Sequence, residues 1–192
     1  MFPNVEALTI HSFNEIDNTP MVPDKFLHLK YLHVCFGSAF SPAYDYLSLV
    51  SFFDASPLLE TFILSVSQRR MKHGSVFEGR FHPRRMPGYR HEKLKTVKIS
   101  GFCSARSMIE LTYHILENAP SLKRLTLDTT AGAARCYLGK SSKCTKMWTD
   151  IGEAHRALWA VRTYLMGKVL PAVELNVVEP CIQFHVAEYL IS

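Results

Sequence analysis

The sequence predicts an α/β solenoid of about six irregular repeats, with strands on one face and helices on the convex side. Three observations carry this. First, the spacing Leu-x-x-Leu-x-Leu at Leu122/Leu125/Leu127 recurs at Val5/Leu8/Ile10, Leu29/Leu32/Val34, Leu59/Phe62/Leu64 and Leu94/Val97/Ile99. A weaker copy is Leu170/Val173/Leu175. Second, apolar stretches with helical periodicity separate several of these copies. Third, a small residue and a proline precede two of them, Ser56-Pro57 and Ala119-Pro120. Proline there stops a helix and sets an extended entry to the strand. No single copy buries its apolar side alone, so neighbours stack into a continuous core, the grammar of a leucine-rich-repeat solenoid.

Taken in order, the first strand unit starts at Phe2-Pro3-Asn4-Val5 and ends at Ile10. Nothing before it covers its open side, so the chain is expected to be the later part of a longer array, a fragment or a shortened product. Residues 11–24 are polar and read as a loop, and Phe26 to Val34 carry the second unit. Residues 45–55 read as a helix, with Leu47, Leu49, Val50, Phe52 and Phe53 around much of its circumference. The stretch 68–92 holds Gly74, Gly79, Pro83, Pro87 and Gly88 with little apolar period, and is expected to be an inserted basic loop. Ser104 or Ser107 is the expected cap of a helix running to Asn118. Residues 128–147 form a second irregular loop, and 150–167 a helix with Ile151, Ala154, Leu158, Val161 and Leu165 on one stripe. The repeat domain is thus expected to span 1–180, leaving 181–192 as a tail.

With 192 residues, 47% of them apolar, the chain has enough material for one packed unit. No apolar run approaches the ~18 residues of a membrane span. The start Met1-Phe2-Pro3-Asn4 lacks the basic and apolar regions of a signal peptide. The five cysteines, Cys35, Cys103, Cys136, Cys144 and Cys181, show no short paired spacing and are expected to be reduced thiols. Together these imply a cytoplasmic or nuclear protein with no membrane partner and no cofactor. The formal charge of +5 is a local feature: ten Lys or Arg lie between Arg69 and Lys98, against only Glu78 and Glu92.

Read together, these phrases resemble the leucine-rich-repeat region of plant F-box proteins, a family expanded in grasses. The carriers are Phe2-Pro-Asn-Val-Glu-Ala-Leu-Thr, Ser56-Pro-Leu-Leu-Glu-Thr-Phe, Met71-Lys-His, Leu94-Lys-Thr-Val-Lys-Ile-Ser-Gly-Phe and Ala119-Pro-Ser-Leu-Lys-Arg-Leu-Thr-Leu. Ile151-Gly-Glu-Ala-His-Arg-Ala-Leu and Val173-Glu-Leu-Asn-Val-Val complete the order. The resemblance implies that the repeats select a target protein, whose identity the residues do not give. In that family an F-box recruits a Skp1-type adaptor of a ubiquitin ligase. No F-box helices precede Phe2, so an adaptor is expected only if an F-box is supplied elsewhere.

The residues between the inward aliphatic positions face outward on a concave sheet and are the expected protein-binding set. They are Thr9, His33, Ile63, Lys98, Thr126 and Glu174, flanked by Tyr31, Thr61, Thr96 and Arg124. An alternative is nucleic acid or another anionic ligand at Arg69, Arg70, Lys72, Arg80, Arg84, Arg85 and Arg90, which alternate with Phe77, Phe81 and Tyr89. Basic groups neutralise phosphates and rings stack on bases. Catalytic signals are poor. Gly139-Lys140-Ser141 ends like a phosphate-binding loop, but Ala134 stands where that loop needs its first glycine. His155 near Glu153, the pair His28 and His33, and Glu15/Asp17 lack the partners that acid–base or metal chemistry needs. No enzyme and no metal site is expected.

Overall fold

The computed structural model describes residues 4–12, 25–37, 44–67, 74–84, 86, 90–130 and 148–180. Its frame is a six-stranded sheet: β1 (Ala7–Ser12), β2 (Tyr31–Phe36), β3 (Thr61–Val66), β4 (Thr96–Ser100), β5 (Arg124–Asp128) and β6 (Glu174–Val178). Chain order is spatial order, and every neighbouring pair is parallel. Parallel neighbours need a crossover on one side. Among the described residues three crossovers contain helix: α1 (Val50–Ala55), entered through a 3-10 turn Tyr46–Leu49, then α2 (Arg106–Asn118) and α3 (Trp148–Ala160). This is an α/β leucine-rich-repeat solenoid, as the spacing predicts.

The repeat is written in the backbone as well as in the aliphatics. The carbonyl of Glu6 accepts from both Lys30 N and Tyr31 N. Lys30 does the same for Glu60 and Thr61, Glu60 for Lys95 and Thr96, and Lys95 for Lys123 and Arg124. One carbonyl with two lone pairs thus fixes each strand's entry to the one before it. The turn ahead of each strand closes on a further bond, Leu29 N to Phe26 O, Leu59 N to Ser56 O, Leu94 N to His91 O and Leu122 N to Ala119 O. Each aliphatic triplet of the second to fifth units is buried. Val5, Leu8 and Ile10 are only half-buried, since β1 is an edge strand with a neighbour on one side.

The sixth unit departs from the predicted phase. Its turn closes through Val173 N to Leu170 O, while the register pairs Leu125 with Leu175 and Arg124 with Glu174. One residue fewer therefore lies between turn and strand, and Lys123 has no counterpart. The aliphatic set of this unit is Val173, Leu175 and Val177. Leu170 occupies the turn position of Ala119 and is 54% exposed.

The helices also need correction at their ends. Residues 45–55 begin as a 3-10 turn, with Asp45 accepting from Leu47 N at 3.1 Å. Neither Ser104 nor Ser107 caps α2, because Ala105 stands at the cap position. Tertiary bonds engage both serines instead: Ser104 N donates to Glu153 Oε1 at 2.6 Å, and Ser107 Oγ to the Tyr44 carbonyl at 3.3 Å. After Ala160 the third helix widens into a π turn, Val161–Leu165, and tightens into a 3-10 turn, Met166–Lys168. Ala154, Leu158, Val161 and Leu165 of the predicted stripe are buried; the side chain of Ile151 lies outside the described residues. Among the described residues no helix is long and apolar enough to cross a membrane.

Gly101, at the exit of β4, has a φ of +79°. A Cβ there would run into the Val66 carbonyl of the preceding unit. The exit turn requires glycine on both counts.

Candidate functional site: the open sheet face

Register turns the repeat into three rows of side chains on the face opposite the core. The entry row is Ala7, Tyr31, Thr61, Thr96, Arg124 and Glu174. The central row is Thr9, His33, Ile63, Lys98, Thr126 and Asn176. The exit row starts with His11, Cys35, Ser65, Ser100 and Asp128. Nine of the ten outward residues named from the spacing thus lie in the row it gives them. Glu174 moves from the central row to the entry row, because the shorter sixth turn shifts its phase; Asn176 takes the central place. Tyr31, His33, Ile63 and Thr126 are half-buried, and Thr9, Lys98, Arg124 and Glu174 are exposed.

Charge on this face is arranged by strand entry. Glu6 pairs with Lys30 at 3.0 Å, Glu60 with Lys95 at 2.9 Å, and Arg124 with Glu174 at 3.1 Å. The Lys95 hydrogen bond and charge hold the Glu60 carboxyl below its usual range. These exposed pairs contribute little stability and mainly cancel each other's field. Lys98 has no carboxylate partner among the described residues.

A polar knot occupies the middle of β2 and β3. His33 Nε2 lies 3.0 Å from Ser65 Oγ and 3.1 Å from Cys35 Sγ. The Ser65 hydroxyl can donate or accept, so either tautomer of the His33 ring satisfies this contact. Burial first, then the nearby His11 and Lys98, push the His33 pKa down. Burial raises that of the Cys35 thiol, with the Ser65 bond opposing. A thiol raised in this way is a poor nucleophile. Among the described residues no group of three His, Cys, Asp or Glu is placed to hold a metal ion.

The predicted basic loop is a different kind of surface. Arg69, Arg70, Lys72, Arg85 and Tyr89 lie outside the described residues, as do Gly139, Lys140 and Ser141. Residues 74–84 lie as a strap against α2 and the third helix. Ser75 bridges to Ala105, Val76 N donates to the Ser104 carbonyl at 2.8 Å, and Arg106 N to that of Gly74 at 3.0 Å. Phe77 stacks on Trp159 at 4.5 Å, and Phe81 meets Tyr164 at 5.0 Å. Arg84 forms two bonds to Asp45, at 2.8 and 2.9 Å, and its Nε donates at 2.8 Å to Glu110, whose side chain is fully buried. These partners raise the pKa of the guanidinium. Arg90 pairs with Glu92 at 3.1 Å, and Arg80 is exposed. The described basic residues therefore do not converge, and two of the three rings are packed.

One buried site escaped the sequence reading. His91 and His114 meet Nε2 to Nε2 at 3.0 Å, both buried. The Asn118 amide lies 3.4 Å from His114 Nδ1, so the bonds run from Asn118 to His114 to His91. Desolvation lowers both pKa values to about 4, with His114 adding to the effect on His91. The available signal was positional: His91 takes the turn place that Ser56 and Ala119 hold in neighbouring units. His155 is exposed, and Glu153 is engaged by Ser104 and Arg156, so the two make no acid–base pair.

Residues 1–182 match the family model described as At1g61320/AtMIF1, LRR domain. No curated protein and no solved structure matches the chain. Leucine-rich-repeat domains serve in general as protein-interaction modules, typically non-catalytic. With the match covering almost its whole length, the chain belongs to the At1g61320/AtMIF1 leucine-rich-repeat domain family.

Proposed function

We propose that this chain binds a target protein on its open sheet face, without catalysis, as the recognition region of an F-box-type ubiquitin-ligase subunit. The observation that carries the reading is the central and entry rows. They set a half-buried tyrosine and isoleucine, Tyr31 and Ile63, among Thr9, Thr61, Thr96, Thr126 and Lys98. Partly exposed aromatic and aliphatic anchors within a polar surround are the composition of a protein interface. The ubiquitin-ligase assignment is supported by the ordered phrases that resemble those of plant F-box proteins, and a Skp1-type adaptor enters only through an F-box.

Anion binding by the loop at 69–90 has less support. Phe77 and Phe81 pack against helices, and Arg84 is neutralised by two carboxylates. Affinity retrieval from plant extract separates the two. A sheet variant, Tyr31→Ser with Ile63→Ser, is expected to lose proteins that a strap variant, Arg80→Ser with Arg90→Ser, retains. The reverse pattern, or nucleic acid lost only with the strap variant, would move the function to the loop. Placed behind an F-box, the chain is expected to direct ubiquitin onto the retained protein; no transfer would remove the ligase assignment and leave recognition standing.

A further inference from the structure

The carboxylates near the open face are already engaged. Glu6, Glu60 and Glu174 are paired along the strand entries, and Asp128 is buried with its Oδ1 accepting from Thr130 N and Oγ1 at 2.9 and 2.7 Å. Lys30, Lys95 and Arg124 each hold one of those glutamates. Lys123 at the β5 entry and Lys98 have no such partner among the described residues, and of these two only Lys98 lies within the central row. It stands in the central row between Ile63 and Thr126, exposed, and no carboxylate among the described residues meets it. Its field reaches His33 on β2, as does that of His11 on β1. The middle of the sheet is therefore a positive spot bordered by an aliphatic side chain and hydroxyls, while most of its margin is neutralised.

We propose that Lys98 receives an acidic side chain from an extended segment of the partner protein, with Ile63 taking an apolar neighbour of that residue. The inference rests on the reading of the open face as the protein-binding surface. A peptide laid across the strands meets the central row at roughly 4.8 Å steps. Ile63 and Lys98 are on neighbouring strands, so an apolar and an acidic residue close in sequence reach both. An unpartnered cation on the surface of one molecule selects a complementary charge and penalises a like one.

The test is selection of random displayed peptides on the full chain and on Lys98→Glu. Lys98 is exposed on an otherwise unchanged sheet, so the variant folds, and equal thermal melting checks it. Peptides recovered on the native chain are expected to be enriched in Asp or Glu, and those recovered on Lys98→Glu in Lys or Arg. A recovered acidic peptide is expected to lose about tenfold in affinity on the variant. Equal retention of acidic peptides by both chains would overturn the assignment of Lys98 while leaving recognition by the face intact. Retention indifferent to Tyr31→Ser and Ile63→Ser would instead sink the parent reading, and an empty selection would sink both. Binding of an oligothymidylate that falls with Lys98→Glu would give this cation to phosphate and overturn the peptide assignment.

Discussion

At the scale of single residues, two buried polar sites govern stability. The Glu110 side chain is fully buried, and Arg84 bonds it and Asp45 together. Removing Arg84 leaves a carboxylate in a site that water hardly reaches. Arg84→Ala is expected to cost about 2 kcal/mol in urea unfolding, less than a fully buried broken pair because Arg84 itself is half-exposed. Asp45→Ala is expected to cost less, since Glu110 keeps its partner. The second site is the histidine pair. In the unfolded chain the imidazoles take protons near 6.5; in the folded chain both stay neutral down to about 4. The unfolded state binds more protons between those values, so stability rises with pH there. The contribution is complete above about pH 6.5 and is lost as pH falls through the window. His114→Gln is expected to flatten the pH dependence of the urea midpoint, and an unchanged slope would show that other groups set it. Neither site was visible in the sequence, because the partners lie far apart along the chain and meet only once the repeats stack.

At the scale of elements, the aliphatic spacing placed the strands of the first five units and failed in the sixth. There a lost residue in the entry turn, and an extra aliphatic at Leu170, make the wrong phase look as good as the right one. The outward residues inherited that outcome: Thr9, His33, Ile63, Lys98 and Thr126 share a row, and Glu174 does not. The basic stretch was legible only in part. Glycines, prolines and arginines mark irregular backbone, but they do not show that Phe77 and Phe81 have helices to pack on. Glycine was informative where geometry is tight. Gly101→Ala is expected to destabilise by about 3 kcal/mol, from a left-handed backbone and a clash with the Val66 carbonyl. A melting temperature within error of the parent would show that the exit turn has room to move.

At the scale of the whole molecule, stability is a sum over units and their interfaces. Position along the array therefore matters more than residue type. Leu125 is buried on a strand with one neighbour on each side, whereas Leu8 lies on the edge strand and is half-exposed. Leu125→Ala is expected to cost about 3 kcal/mol and Leu8→Ala about 1 kcal/mol in urea unfolding; equal costs would contradict a stack of interdependent units. The same architecture presents two surfaces with apolar side chains. One is the sheet face with Tyr31 and Ile63. The other runs from Trp159 in the third helix through Met166 to Leu170, all three exposed. Hydroxyl-radical footprinting of the chain with and without a retained partner protein distinguishes them directly. The account predicts protection of Tyr31 and Ile63 on binding, with Trp159 and Met166 as reactive as in the free chain. Protection confined to Trp159, Met166 and Leu170 would contradict it and place recognition on the helical side.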